Sequence, residues 1–340
     1  MIAVVVALVP VTMFLAILLV GDSFKLVPRV TLLRALAGGA IAAAVTLALH
    51  TWFLRSGLLE LPTLARIVAP VTEETLKAAC LVYLLRRGRI GFLVDGAIVG
   101  FAVGTGFALV ENVVYLQTLQ GAPLWVWMAR GCGAALLHAS NGAIVAMSSK
   151  VLSDRYPAAG LVVLIPGWMI AIAVHAAYNH ALVSPLLAAA FLLTIVPLVV
   201  MAVFARSEKM TREWVGDGLD LDVELLALIR SSHFGSTRLG RYLSELTARV
   251  PGPIVADMFC LLQLDLELSI RAKGMLMARE AGLEVPIDDD LRAKLAERAY
   301  LHRAIGATGL LALRPLQTTS DRDDWHRYLL RHAGRRPGRS

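Results

Sequence analysis

The stretch Val71–Lys77, V-T-E-E-T-L-K, places two adjacent glutamates and a lysine inside an apolar segment that runs from Leu64 to Leu85. A segment of this length spans the hydrocarbon core of a bilayer, which takes about 20 apolar residues in a helix. The charges therefore lie at membrane depth, where an ionised carboxylate costs roughly 2.5–3.5 kcal/mol and faces a protein interior or an aqueous cavity. Glu73 and Glu74 are accordingly candidates for function.

Lys77 lies four residues after Glu73 and three after Glu74, so on a helix its ammonium group reaches one of the two carboxylates. This partial neutralisation makes the group of charges easier to insert into a membrane. Two carboxylates beside a lysine also provide the chemistry of a general acid or base. The alternative is a structural ion pair that ties two helices together.

Composition assigns the chain to the polytopic membrane proteins. It has 340 residues, of which 57% are hydrophobic, and its mean hydropathy is +0.66, which is far above that of soluble domains. Residues 1–205 hold twelve Lys/Arg and seven Asp/Glu, whereas residues 206–340 hold twenty-one and nineteen. We predict an all-α protein with a transmembrane domain at 1–205, a soluble helical domain at 206–330 and a disordered basic tail at 331–340. The net charge of +7 lies mostly in the membrane part, and no nucleic-acid footprint is present.

The apolar stretches predict about seven membrane spans. They are residues 2–20, 30–54, 64–85, 93–119, 124–152, 160–183 and 186–204. Basic residues fall in alternate loops, after the first, third, fifth and seventh spans, and Arg55, Arg66 and Arg130 are the exceptions. By the positive-inside rule the N-terminus is extracytoplasmic and the C-terminal domain is cytoplasmic, in a multi-pass protein of the cell membrane.

Glycines at close spacing predict tight contacts between the spans, because small residues let helix backbones approach each other. They are Gly38, Gly39, Gly100, Gly104, Gly106, Gly131 and Gly133. We therefore expect a compact bundle.

Four consecutive spans each carry an acid or an imidazole. Besides the glutamates of the third span, these are Glu111 with Phe107 and Asn112, His138 with Asn141, and His175 with Asn179. A single buried histidine is more often a packing residue than a ligand. Together, however, these groups favour convergence in the interior, because each is costly against lipid. The predicted topology places Glu73, Glu111 and His175 in the outer half of the membrane and His138 nearer its middle.

These residues carry a family resemblance. E-E-T-L-K at 73–77, F-A-L-V-E-N at 107–112, His138 and H-A-A-Y-N at 175–179 resemble the four motifs of the PrsW intramembrane proteases. That family is grouped with the type II CAAX prenyl endopeptidases and the bacterial CPBP proteins. Glu111 stands where the CAAX enzymes have histidine, which favours the PrsW branch. The resemblance covers about residues 64–182.

The resemblance implies cleavage of a membrane-anchored protein, and the role associated with the family is extracytoplasmic cleavage of an anti-sigma factor. Glu73 or Glu74 would activate water with His138 or His175, and Asn179 would donate to the oxyanion. Glu111 would complete this catalytic cluster, and Lys77, Phe107 and Asn112 would support it.

Two mechanisms remain open at this point. In the favoured one no cofactor is needed and a glutamate deprotonates water. In the other, Glu74, His138 and His175 bind zinc, with water as the fourth ligand. The absence of an H-E-x-x-H run favours the glutamate mechanism.

Two other functions also fit intramembrane carboxylates and histidines. One is a proton- or ion-coupled transporter, for which we find no convincing internal repeat between the two halves of the membrane part. The other is a catalytically inactive scaffold. The predicted partners are the lipid bilayer and a membrane-anchored substrate, and not nucleic acid.

Overall fold

The structure is a computed structural model that describes residues 1–22, 27–248, 250–283 and 288–313. The described part is all-helical and shows no strand, as the sequence predicts. The basic tail predicted at 331–340 lies outside the described residues. Contacts between Cα atoms divide the chain into two compact units, of which the first is Met1–Ser207 and the second begins at Glu208.

The first unit is a bundle of long helices joined by short segments. The long helices are α1 (Ile2–Gly21), α2 (Arg29–Arg55), α4 (Ala69–Arg86), α5 (Leu93–Thr118), α7 (Ala135–Arg155), α8 (Ile165–Asn179) and the start of α9 (Pro185–Arg230). Short helices α3 (Leu61–Thr63) and α6 (Leu124–Met128) are followed by π-helical turns at Leu64–Val68 and Ala129–Ala134, and a 3₁₀ segment covers Pro157–Leu164. The π-helical turns lead directly into α4 and α7.

Helix α5 is the centre of this bundle. In the most apolar stretch of α5, 78% of the residues are buried, whereas the corresponding values are 28% in α2 and 22% in α1. Helices α1 and α2 therefore have most of their apolar side chains on the outside of the bundle. The main neighbours of α5 are α7 and α2. A surface of exposed apolar side chains around a buried centre suits a protein whose solvent is lipid.

Glycines bring the backbones of the central helices into contact, which confirms the sequence-based expectation. A Cβ atom built on Gly39 in α2 would lie 1.9 Å from the carbonyl oxygen of Val103 in α5. One built on Gly106 would lie 2.0 Å from that of Leu36. No side chain fits at such distances, so these crossings require glycine.

Of the helices in the described residues, five are long and apolar enough to cross a membrane. They are Ile2–Gly21, Arg29–Arg55, Leu93–Thr118, Ala159–Asn179 and Pro185–Arg230. The two other predicted spans, 64–85 and 124–152, are helical over most of their length but carry the ionisable and polar groups of the bundle. Seven spans therefore remain a prediction, whereas a multi-pass membrane protein follows from the five apolar helices.

The second unit contains the end of α9, α10 (Arg238–Leu246), α11 (Gly252–Glu280) and α12 (Asp289–Leu313), with a 3₁₀ turn at Phe234–Ser236. Helix α11 packs against α12, and Leu268 and Leu276 of α11 are fully buried. Lys273 is buried in this unit, and its Nζ donates to Asp222 Oδ2 at 2.7 Å and to the carbonyl oxygen of Gly218 at 2.7 Å. The geometry of the site described below belongs entirely to the first unit.

Candidate active site

The predicted site residues lie at one end of the bundle because their helices alternate in direction. Glu73 is in the second turn of α4 and His138 is in the first turn of α7. Glu111 and His175 are near the C-terminal ends of α5 and α8. At the opposite end of the bundle, Arg86 and Arg155 are the last residues of α4 and α7.

Glu74 and Lys77 form a buried ion pair on α4, with 2.7 Å between Lys77 Nζ and Glu74 Oε1, and each side chain is 1% exposed. Lys77 Nζ also lies 3.1 Å from His138 Nδ1 and 4.9 Å from the centre of the Phe107 ring. The Phe107 ring packs in turn on the His138 imidazole, with 4.9 Å between ring centres. Phe107 thus covers both polar groups, and its supporting role stays a prediction.

A second ion pair holds Glu111. Arg130 Nη2 lies 2.9 Å from Glu111 Oε2, and the guanidinium group stacks 3.4 Å from the centre of the Tyr115 ring. Arg130 Nε donates to Asn112 Oδ1 at 3.0 Å, and Asn112 Nδ2 donates to the carbonyl oxygen of Ala7 at 2.7 Å. Asn112 therefore connects α5 to α1 and anchors the arginine that pairs with Glu111.

The two histidines meet between these ion pairs. His138 Nε2 lies 3.1 Å from Glu111 Oε2, and His175 Nδ1 lies 2.9 Å from Glu74 Oε1. Asn141 Nδ2 donates to the same Glu74 oxygen at 3.2 Å and to the carbonyl oxygen of Ala171 at 3.0 Å. The two imidazole rings stand edge to face, 4.9 Å apart.

Glu73 Oε2 is buried and has no hydrogen-bond partner among the described residues. It lies 4.0 Å from His138 Nε2 and 3.9 Å from His175 Nε2. A buried carboxylate oxygen without a partner is costly and indicates a missing ligand or a functional group. Glu73 Oε2 and the Nε2 atoms of His138 and His175 thus face one small space.

Two side chains in the last turn of α8 donate hydrogen bonds to the two π-helical turns. Asn179 Nδ2 donates to the carbonyl oxygen of Ala65 at 2.8 Å, and the Tyr178 hydroxyl donates to that of Ala129 at 3.0 Å. Turns of π-helix leave backbone carbonyls displaced and occur often at functional sites. The Asn179 amide is thereby engaged, and its oxyanion role stays a prediction.

A cavity of about 460 Å³ opens beside these groups. Its polar wall contains Glu73, Glu111, His138, His175 and Asn179, and its apolar wall comes from α2, the 61–65 segment and α5. A cavity with one polar wall and one apolar wall suits an extended apolar peptide whose backbone must reach the polar groups.

Comparison with known families bears on this arrangement. The family model of the PrsW family intramembrane metalloproteases matches residues 27–205, slightly more than half of the chain and the whole of the polar cluster. The chain belongs to the PrsW family. No curated protein and no solved structure is found to match it.

Membership of the PrsW family supports an intramembrane protease that acts on membrane proteins within the bilayer, and it does not favour the transporter or the scaffold. The wider grouping with the CAAX and CPBP enzymes stays a prediction. The family description names a metalloprotease, so the fit of the site to a metal ion bears directly on the mechanism.

Glu73, His138 and His175 each offer one donor atom, and all three atoms lie within 4.8 Å of one another. Two imidazoles and one carboxylate are the protein ligands found in one common type of catalytic zinc site. The sequence-based zinc alternative had Glu74 in place of Glu73. The structure instead turns Glu74 Oε1 toward Lys77, Asn141 and His175 Nδ1, whereas Glu73 Oε2 faces the two imidazoles.

Sequence reasoning gave no site role to two side chains that line the PrsW cavity. Arg130 counted only as an exception to the loop charges. His50 of α2 lies in the cavity wall with its Nε2 2.8 Å from the Thr72 hydroxyl, next to Glu73. Arg130 could have been found from the sequence, because it is a basic residue inside the predicted span 124–152 and needs an acidic partner such as Glu111. His50 lies near the end of its span, where a polar residue carries little signal.

Proposed function

We propose that this PrsW family member hydrolyses a peptide bond of a membrane-anchored protein in the 460 Å³ cavity, with Glu73 as the group that activates water. The carrying observation is Glu73 Oε2, which is buried, lacks a hydrogen-bond partner among the described residues and lies about equally far from two imidazole nitrogens. A water held at this oxygen is also within reach of both histidines.

Glu73 takes a proton from this water as the new C–O bond forms, and later delivers it to the leaving amine when the C–N bond breaks. Glu74 Oε2 is also buried without a hydrogen-bond partner in the described part of the chain. Glu74 does not take this role, because it does not line the cavity and its Oε1 already accepts from Lys77, Asn141 and His175. Its role is to hold His175 in place. Asn179 lines the cavity and gives one amide hydrogen to Ala65, so its second N–H is the donor that stabilises the oxyanion of the tetrahedral intermediate.

Glu73, His138 and His175 are the residues that would hold a zinc ion. Zinc bound in this way supplies a water of lowered pKa and polarises the scissile carbonyl. Tetrahedral ligation at about 2.1 Å sets donor atoms roughly 3.4 Å apart, somewhat closer than the 3.9 and 4.0 Å found here. The three atoms together lie within 4.8 Å of one another, so the side chains would have to move closer to hold the ion.

The substrate side follows from the charge pattern. The polar cluster lies at the end of the bundle opposite Arg86, Lys150 and Arg155, and on the positive-inside rule we propose that the cavity opens toward the extracytoplasmic side. We propose that a single-span protein enters with an unwound segment near that surface, because a helix shields its own peptide bonds. An anti-sigma factor is the substrate that the family resemblance predicts.

The test is cleavage of single-span membrane proteins in proteoliposomes by the wild type and by Glu73→Gln, each with and without a tight zinc chelator. Glu60→Gln is the matched control, because Glu60 is an exposed glutamate at the start of α3. We expect product from the wild type and from Glu60→Gln, and none from Glu73→Gln. Full activity of an inserted Glu73→Gln protein contradicts the proposal. Loss of product on chelation, with rescue by zinc, assigns Glu73 to metal ligation instead.

A further inference from the structure

His138 lies between two ion pairs that face its two ring nitrogens. On one side the Glu74–Lys77 pair presents Lys77 Nζ to Nδ1 at 3.1 Å. On the other side the Glu111–Arg130 pair presents Glu111 Oε2 to Nε2 at 3.1 Å. The imidazole is thus held between an ammonium and a carboxylate.

The hydrogen positions on His138 follow from this arrangement. A lysine ammonium has three N–H donors and no acceptor, so His138 Nδ1 must accept. An imidazole whose Nδ1 accepts carries its hydrogen on Nε2, and that hydrogen points to Glu111 Oε2. The other tautomer would set donor against donor at Lys77 and leave Nε2 facing a carboxylate without a hydrogen.

His175 is held in the opposite way. Its Nδ1 lies 2.9 Å from Glu74 Oε1, which also accepts from Lys77 and from Asn141. An oxygen that receives these donors is a carboxylate oxygen, so His175 Nδ1 carries the hydrogen and donates it. In its neutral form His175 therefore presents the Nε2 lone pair toward Glu73 Oε2.

We propose that Lys77 and Glu111 are positioning residues that hold His138 with its hydrogen on Nε2, and that Glu74 holds His175 in the opposite tautomer, with hydrogen on Nδ1. The tautomers themselves do not depend on the proposed function; only the catalytic roles that follow from them rest on it. The His138 N–H holds Glu111 beside the cavity, and the His175 lone pair accepts from the water that Glu73 activates.

The same arrangement constrains metal binding. While Lys77 donates to Nδ1, His138 Nε2 has no lone pair to offer a cation. His138 joins Glu73 and His175 in a three-ligand set only after Lys77 has left Nδ1 for Glu74 alone. Lys77 thus weakens the affinity of the site for metal, in addition to pairing with Glu74.

The burial of the two ion pairs keeps this arrangement in place. Lys77 is 1% exposed and packs against the Phe107 ring, and Arg130 is fixed by Asn112 and by the Tyr115 ring. A merely structural role would require only that the charges be paired. It would not depend on which nitrogen of each imidazole carries the hydrogen, and this difference is measurable.

The test is nuclear magnetic resonance of the full chain in lipid nanodiscs with ¹⁵N,¹³C-labelled histidine, which reports the tautomer of each ring. His138→Gln and His175→Gln assign the two signals. We expect hydrogen on Nε2 in His138 and on Nδ1 in His175. The same tautomer in both rings, or hydrogen on Nδ1 of His138, overturns the proposal. This readout needs no cleavage, so it is independent of the failure of the proposed function.

A second variant tests the role of Lys77. Lys77→Met combined with Glu74→Gln removes both charges without leaving one unpaired, and Gln can still accept from His175 Nδ1. We expect a population of His138 with hydrogen on Nδ1 to appear, because only Glu111 then holds the hydrogen on Nε2. We also expect a zinc affinity, measured by chelator competition, that is tighter by roughly tenfold, since outer-shell groups change metal affinity by about that factor. Unchanged His138 tautomer and zinc affinity contradict the proposal. Lys150→Met with Asp154→Asn, the partly buried pair at the other end of the bundle, should change neither quantity.

Discussion

Gly100 and Gly142 lie directly against each other where α5 crosses α7. A Cβ atom built on either glycine would come within 2.2 Å of the carbonyl oxygen of the other. One helical turn along α5, a Cβ on Gly104 would lie 2.1 Å from the carbonyl oxygen of His138. The crossing therefore fixes the separation of the two helices that carry Glu111 and His138.

Gly100→Ala should destabilise the first unit and impair the site. The added methyl group meets backbone rather than a flexible side chain, so the helices must move apart, at a cost of typically 1–3 kcal/mol or more. We expect a lower midpoint of thermal unfolding in detergent or nanodiscs. We also expect loss of cleavage, because Glu111 no longer reaches His138.

Gly274→Ala is the control for this substitution. Gly274 lies within α11, and a Cβ built there meets nothing within 4 Å. Alanine is the better helix former by up to about 1 kcal/mol, so this variant should be unchanged or slightly more stable. A Gly100→Ala protein with the stability and activity of the wild type would show that the α5–α7 contact is looser than described.

The sequence predicted which residues make up the site better than it predicted which of them contact each other. Ionisable side chains in apolar segments are costly unless they meet partners, so Glu73, Glu111, His138 and His175 could be placed together without coordinates. Which glutamate faces the imidazoles could not be predicted, because Glu73 and Glu74 are neighbours and helix rotation alone separates their surroundings. The π-helical turns at Leu64–Val68 and Ala129–Ala134 have no sequence signature.

The span count shows the same limit. Segments 64–85 and 124–152 are helical over most of their length, but their polar groups leave them outside the five helices that length and apolar composition identify as spans. Hydropathy measures affinity for lipid, and these two segments include helices that pack inside the bundle. Arg130 was read as a loop charge for a related reason, since its partner Glu111 lies 19 residues earlier in the sequence.

Arg130→Gln should leave Glu111 without its counter-ion at the edge of the cavity. Removing one partner of a buried ion pair commonly costs 3–5 kcal/mol, and partial exposure of this pair reduces that figure to about 1–3 kcal/mol. Cleavage should fall strongly, because the position of Glu111 and its contact with His138 depend on the pair. The measurements are the thermal midpoint and the separate kcat and KM for a cleaved substrate.

Arg130→Gln combined with Glu111→Gln separates charge balance from positioning. Stability should recover in part, since no unpaired charge remains, but kcat should stay low because His138 has lost its carboxylate partner. Arg66→Gln, an exposed arginine at the same end of the bundle, should resemble the wild type. Recovery of full activity in the double variant would argue against a positioning role for this pair.

Lys273→Met should destabilise the second unit. The substitution leaves Asp222 buried without its ammonium partner, a change that typically costs 3–5 kcal/mol. Hydrogen exchange of the α11 amides in the full chain should speed up, whereas that of α5 should not. Lys209→Met removes an exposed lysine 3.8 Å from Glu213 and should leave exchange unchanged. Equal protection of α11 in Lys273→Met and in the wild type would contradict a stabilising role for the buried pair.

The side of the membrane on which the cavity opens can be tested with two serines. Ser56 follows the C-terminus of α2 at the cavity end, and Ser153 lies in the last turn of α7 at the other end; both are exposed. In a background without Cys80, Cys132 and Cys260, we expect an impermeant maleimide added to intact cells to label Ser56→Cys and not Ser153→Cys. The positive-inside rule predicts this because basic residues cluster at the Ser153 end. Labelling of Ser153→Cys alone would place the cavity on the cytoplasmic side. The segment of substrate that this protease cleaves would then lie on the cytoplasmic side as well.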